Sequence, residues 1–128
     1  MRAVDTNVLV RFLVADDTRQ AKRARAAIEA GDIFIATTVL LETEWVLRSA
    51  YGFDAGQVGT ALRGLAGLPG VTIEEPTRLA EALGWMTEGM DFADALHLAR
   101  TEECEVFLTF DKELTKRAPK TATTVQAP

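Results

Sequence analysis

Asp5, Glu42, Asp94 and Asp111 are four carboxylates from four separate stretches of the chain, each near the start of an expected helix. Brought into one pocket, oxygen-only ligands of this kind select a hard cation, Mg²⁺ or Mn²⁺, over zinc. One or two such ions activate a water and steady both oxygens of an in-line phosphoryl displacement. Close-set carboxylates also raise one another's pKa unless a cation lies between them. This chemistry needs neither thiolate nor imidazole, and the chain has one Cys and one His. Those counts exclude an internal disulfide, a thiolate-built metal cluster and a pair of imidazoles acting as acid and base within one chain. Cys104 lies between Glu103 and Glu105, which disfavours its thiolate, so a half-buried structural role is expected.

The elements that must position these acids alternate in type. A strand is expected over 3–5, then a helix over 7–14 capped by Thr6 or Asn7, and a cationic helix over 17–30 closed by Gly31. Residues 32–36 form an apolar run rich in β-formers. A long helix follows, capped by Thr37 or Thr38 and reaching 51–52. Residues 52–70 carry six of the nine Gly and still show a helical apolar face, so a loosely formed helix is expected there. Next come a strand at 70–73, helices over 77–88 and 91–102, a strand over 106–110, a short helix over 112–117 and a strand over 123–125. Such alternation predicts one α/β domain over 1–128, a three-layer α/β/α sandwich around a five-stranded, mostly parallel sheet. Ligands in such folds sit beyond the carboxyl ends of the strands, where strand order reverses.

That rule singles out Asp5, ending the first strand, and Asp111, directly after the fourth. For either alone, a helix cap is an equal explanation; for both at one sheet edge it weakens. On the helix after strand two, a turn of 100° per residue puts Glu44 and Arg48 on a solvent-facing side and Glu42 in the arc between Trp45 and Val46. A carboxylate in an apolar arc needs a partner; the simpler alternative is a capping-box acid. Asp91 is a natural N-cap, and Asp94 three residues on lies at the margin of the apolar face of Phe92, Ala95, Leu96 and Ala99. His97 is expected to be structural and paired with Asp94, and Trp45 and Trp85 to pack in a core or interface.

With 128 residues, 48% apolar and 26% charged, the chain reads as globular, and its net charge of −5 argues against a large basic nucleic-acid footprint. The charge is uneven. Residues 1–25 carry six cations and three anions, and 112–120 carry four cations against Glu113 alone. Most of these cations suit a solvated helix face; Lys112 and Lys116, adjoining Asp111, are the preferred phosphate contacts. No apolar run approaches a membrane span, and the first apolar stretch is broken by Asp5, Asn7 and Arg11, so a cytoplasmic protein is expected.

Four stretches occur in order over nearly the whole chain: Val4-Asp5-Thr6-Asn7-Val8-Leu9-Val10-Arg11, Glu42 within Val39-Leu40-Leu41-Glu42-Thr43-Glu44-Trp45-Val46-Leu47, Asp91-Phe92-Ala93-Asp94-Ala95-Leu96-His97-Leu98-Ala99, and Leu108-Thr109-Phe110-Asp111-Lys112. Together they resemble the PIN domain and, within it, the VapC toxins of type II toxin–antitoxin pairs. Each is weak alone; the ordered set is specific. The resemblance implies an Mg²⁺- or Mn²⁺-dependent ribonuclease, a homodimer, and inhibition by a small VapB-like antitoxin laid along an apolar wall beside the pocket. It puts the family's four acids on Asp5, Glu42, Asp94 and Asp111, an extra acid on Asp91 and a hydroxyl near the metal on Thr109, with Asn7 a further secondary position. An aspartyl phosphohydrolase of the haloacid-dehalogenase type would need Asp where Asn7 stands. A phosphoacceptor receiver would need an Asp at the end of strand three, which here reads Glu74-Glu75-Pro76. A PIN nuclease of RNA processing, or a non-catalytic PIN-like binding or dimerisation module, are the remaining alternatives.

Overall fold

The computed structural model describes residues 1–15 and 18–128. Asp16, and Asp17 as the expected start of the second helix, lie outside them. The chain divides into two compact units, Met1–Pro76 and Thr77–Pro128.

In the first unit the order is β1 (Arg2–Ala3), α1 (Thr6–Val14), α2 (Thr18–Glu29), β2 (Ile33–Ile35), α3 (Thr37–Tyr51), α4 (Ala55–Ala66) and β3 (Val71–Ile73). β2 is the central strand, parallel to β1 through Arg2–Ile33 and Ala3–Phe34 and to β3 through Ile33–Val71, Phe34–Thr72 and Ile35–Ile73. Ile33 and Ile35 are buried, as a strand flanked on both sides requires. β2 and β3 start against each other at Gly31 and Gly70. Both have positive φ, and a Cβ on Gly70 would meet the Gly31 Cα at 2.8 Å, so only glycine fits.

Two helix starts differ from expectation. α1 is capped by Asp5, whose carboxylate accepts from the Thr6 N–H at 2.8 Å, rather than by Thr6 or Asn7. The first strand correspondingly ends at Ala3 and releases Asp5 to the helix. α3 has Ala36 at its cap position and no side-chain cap of its own, so neither Thr37 nor Thr38 serves. Instead Glu74, just past β3, accepts from the Thr37 N–H at 2.8 Å. A cap supplied from 37 residues away was invisible to local pattern, and a cap of this kind contributes about 1 kcal/mol. The glycine-rich segment is better ordered than expected: Asp54 and Gln57 form a reciprocal capping box, and Val58, Leu62 and Leu65 bury one face of α4.

In the second unit the order is α5 (Pro76–Thr87, its first residue closing the preceding unit), α6 (Phe92–Ala99), β4 (Val106–Leu108), α7 (Lys112–Arg117) and β5 (Thr124–Gln126). β4 and β5 pair in parallel from Val106–Thr124 to Leu108–Gln126. Leu79, Leu83, Met86, Phe92, Leu96 and Leu98 are buried. α6 stops at Ala99, three residues short of the expected end, and the next residues turn. All five expected strands are present and every pairing is parallel, with helices between them, so the α/β class holds. Their hydrogen bonds fall into a three-stranded and a two-stranded sheet.

Candidate functional site

The first unit positions Asp5 and Glu42 through α1 and α3. Asp5 is exposed, and its N-cap bond fixes the carboxylate at the start of α1 while engaging only Oδ1. Thr6 is buried, and its hydroxyl donates to a Glu42 carboxylate oxygen, tying the first turn of α1 to α3. Sequence reasoning treated Thr6 only as a candidate cap; its position beside Asp5 in the Asp5-Thr6-Asn7 run was the available signal.

Glu42 and Glu44 have exchanged the roles expected of them. The buried stripe of α3 runs through Thr37, Leu40, Thr43, Glu44 and Leu47. Glu42 falls off this stripe and is exposed, as is Trp45, at 58%, one turn on. Glu44 is not part of a solvent-facing pair; it is 3% exposed, and the Arg48 guanidinium reaches in to it at 3.0 Å. The helix is apolar on more than one side (Leu41, Trp45 and Val46 as well as Leu40 and Leu47), so periodicity alone selected the wrong arc. A buried Glu44 is tolerable because its charge is matched by a cation one turn away. For Glu42, the consequence is a carboxylate at the surface, held by one hydroxyl and open to a ligand.

The second unit positions Asp91 and Asp94 on α6 and Asp111 before α7. Asp91 is the N-cap and accepts from the Asp94 N–H at 3.2 Å. Asp94 is half-buried. Its carboxyl is pushed above the usual range, first by desolvation, then by the negative charges of Asp91 and Asp111; His97 works weakly the other way. Asp111 caps α7, its Oδ1 accepting from Glu113 N–H at 2.9 Å and Leu114 N–H at 3.1 Å. Its own N–H donates to the Thr109 hydroxyl at 3.0 Å, and Thr109 N–H donates to the Gln126 carbonyl of β5. The loop carrying Asp111 is thereby fixed to the end of the two-stranded sheet. Lys112 and Lys116 are exposed beside it.

The structure thus joins Asp5, Thr6 and Glu42 in one unit and Asp91, Asp94, Thr109 and Asp111 in the other. Asn7 is exposed on the first turn of α1. Capping and chemistry are compatible readings, because each capping bond uses one carboxylate oxygen and leaves the other. Of the two places expected for Trp45, core or interface, its exposure removes the core. Two other expectations change. Cys104 is exposed rather than half-buried. His97 is exposed and influences Asp94 through charge, with no hydrogen bond between them among the described contacts.

Among the described residues, no three Asp, Glu, His or Cys side chains already stand as a metal cage. The donor chemistry nevertheless fits a hard cation: the ligating atoms on offer are carboxylate oxygens, and in the second unit the Asp94 carboxyl is pushed up by desolvation and then by the charges of Asp91 and Asp111.

The family model of the PIN domain matches residues 2–120. Among solved structures, the chain is similar to the crystal structure of Mycobacterium tuberculosis VapC20, a sarcin–ricin loop cleaving toxin, with 21% identity over 92% of this chain and 95% of that one and a TM-score of 0.44. No curated protein matches the chain.

Proposed function

The chain belongs to the PIN-domain family, and on that premise we propose that it is an Mg²⁺- or Mn²⁺-dependent ribonuclease, the toxin of a type II toxin–antitoxin pair. The observation that carries this reading is the placement of the acids. Asp5 and Asp111 each follow a parallel strand and are pinned as N-caps, Asp94 lies in the first turn of its helix, and Glu42 lies at the surface on a hydroxyl from the residue after Asp5. Asp5, Glu42, Asp94 and Asp111 would hold the metal, which supplies Lewis acidity for activating water and for stabilising charge on the phosphoryl group.

The chain's own residues do the rest. The capping bonds of Asp5 and Asp111 fix their carboxylates before any ligand arrives, so little ordering is left for binding. Thr6 orients Glu42. Thr109 holds the Asp111 loop, Asp91 adds negative charge beside Asp94, and Lys112 and Lys116 contact RNA phosphates. We place the protein in the cytoplasm as a single functional domain over 1–128, active as a homodimer and silenced by a VapB-like antitoxin. No helix among the described residues is long and apolar enough to cross a membrane.

The test is cleavage of a mixed RNA pool by the purified chain with Mn²⁺ or Mg²⁺, repeated in chelator, together with growth of a bacterium producing it. The expected result is metal-dependent cleavage and slowed growth, relieved by the VapB-like partner. Cleavage that persists in chelator would overturn the metal chemistry. Normal growth during active production would overturn the toxin role.

A further inference from the structure

α1 and α2 enclose a cleft of about 340 Å³ whose described lining includes Asn7 and Arg11 from α1 and Gln20 and Arg23 from α2, over an apolar floor of Ala24 and Ala27. We propose that this cleft is a subsite for a backbone phosphate of single-stranded RNA, next to the phosphate that is cut. The inference rests on the ribonuclease reading and extends it to where the strand lies.

Three observations support it. The first is the chemistry of the lining: two guanidiniums and two amides, all of which carry hydrogen-bond donors. This stands out in a chain of net charge −5. The rest of α2 has the same bias, with Arg19, Lys22 and Arg25 against Glu29 alone. The second is that one of these donors, Arg11, is held in position. The Arg11 Nε donates to Gln20 Oε1 at 2.8 Å, and its Nη1 donates to the Tyr51 hydroxyl at 3.2 Å. A guanidinium fixed in this way loses less freedom on meeting a phosphate than a surface arginine does.

The third is location. Asn7 and Arg11 are one turn apart on α1, the helix that Asp5 caps. At 1.5 Å per residue, Arg11 is about 9 Å along the axis from Asp5. That is too far for the phosphate under attack at Asp5 and suits a neighbouring phosphate of the same strand. An RNA lying on Arg23 and Arg11 would run along α1 towards Asp5 and the Thr6–Glu42 pair.

The test uses the full chain and a single-stranded RNA, with binding measured in chelator over a range of salt and cleavage measured with Mn²⁺. Arg23 is exposed, so Arg23→Gln should fold; Arg25→Gln, exposed on the same helix and outside the cleft lining, is the control. Losing one phosphate contact on a single strand should lower the slope of log affinity against log salt by about 0.7. The expected result is that drop for Arg23→Gln, restored by Arg23→Lys and absent for Arg25→Gln, with KM for cleavage raised and kcat little changed. Equal drops for Arg23→Gln and Arg25→Gln would overturn the subsite in favour of a diffuse basic face. An unchanged slope alongside a weakened antitoxin complex would overturn it in favour of an acidic partner segment. If the wild-type chain cuts RNA in both of these cases, the ribonuclease reading stands without the subsite. If the wild-type chain neither binds nor cuts RNA, both fall.

Discussion

Asp5→Asn should lower metal-dependent RNA cleavage by at least about 100-fold while leaving the melting temperature of the metal-free protein almost unchanged. The two halves of this expectation have separate origins. Asp5 caps α1 through one oxygen, accepting from the Thr6 N–H. Asparagine accepts at an N-cap about as well as aspartate, so α1 keeps its start. What is lost is the negative charge, and a neutral amide is a poor ligand for a hard cation. Removing groups that merely orient a metal's ligands costs 10–100-fold, so replacing a ligand should exceed that range. Asp5→Ala removes both functions and should show both defects. Cleavage rates and thermal melts of the two variants side by side check this. An Asp5→Asn protein that melts early yet cleaves normally per folded molecule would assign Asp5 to capping alone.

Asp94→Asn should also abolish cleavage, and it should make the metal-free protein as stable as the wild type or more so at neutral pH. The Asp94 carboxyl sits above its ordinary pKa, through desolvation first and then through Asp91 and Asp111. The folded state therefore binds the Asp94 proton more tightly than the unfolded chain does. Linkage gives the sign: below the unfolded pKa of about 3.8 Asp94 is protonated in both states and its repulsion is absent, and stability is lost as pH rises through the raised folded value. Towards neutral pH the wild type takes on that penalty and the variant does not. Asp94 also lies in the first turn of α6, where the helix dipole favours its charge by roughly 0.3–1 kcal/mol at low salt. The two effects oppose each other, which limits the gain. Denaturant midpoints between pH 3 and pH 7 check the sign: the variant's advantage should shrink towards acid. Added Mn²⁺ should stabilise the wild type more than the variant. An Asp94→Asn protein that is partly unfolded at every pH would assign Asp94 to holding α6.

The legible parts of this molecule were those set by local chemistry. Asp91 and Asp111 cap their helices where the residue types said they could, and Lys112–Arg117 forms the short helix expected there. β2 was readable because Ile33, Phe34 and Ile35 are β-formers between a glycine turn and a threonine pair. What the sequence hid was partnership at a distance. The Glu74 carboxylate that starts α3 and the Thr6 hydroxyl that holds Glu42 act across 37 and 36 residues, and no local pattern encodes either. The choice between Glu42 and Glu44 was hidden for another reason. A helix apolar on several sides has no single buried arc, and only the pairing with Arg48 shows which glutamate can go inside. The apolar-arc argument that singles out Glu42 in the sequence applies in the structure to Glu44, and Glu42 remains a candidate ligand through the motif resemblance alone.

The central claim of the proposed function is that Asp5 and Asp111 are ligands of a hard cation. Calorimetric titration of Mn²⁺ into the metal-free wild type, Asp5→Asn and Asp111→Asn tests it most directly. Both substitutions keep a side chain able to cap its helix, so loss of fold does not confuse the reading. The account predicts Mn²⁺ binding by the wild type, weakened at least about tenfold by either substitution. Unchanged Mn²⁺ affinity in either variant, or no binding by the wild type, would contradict it.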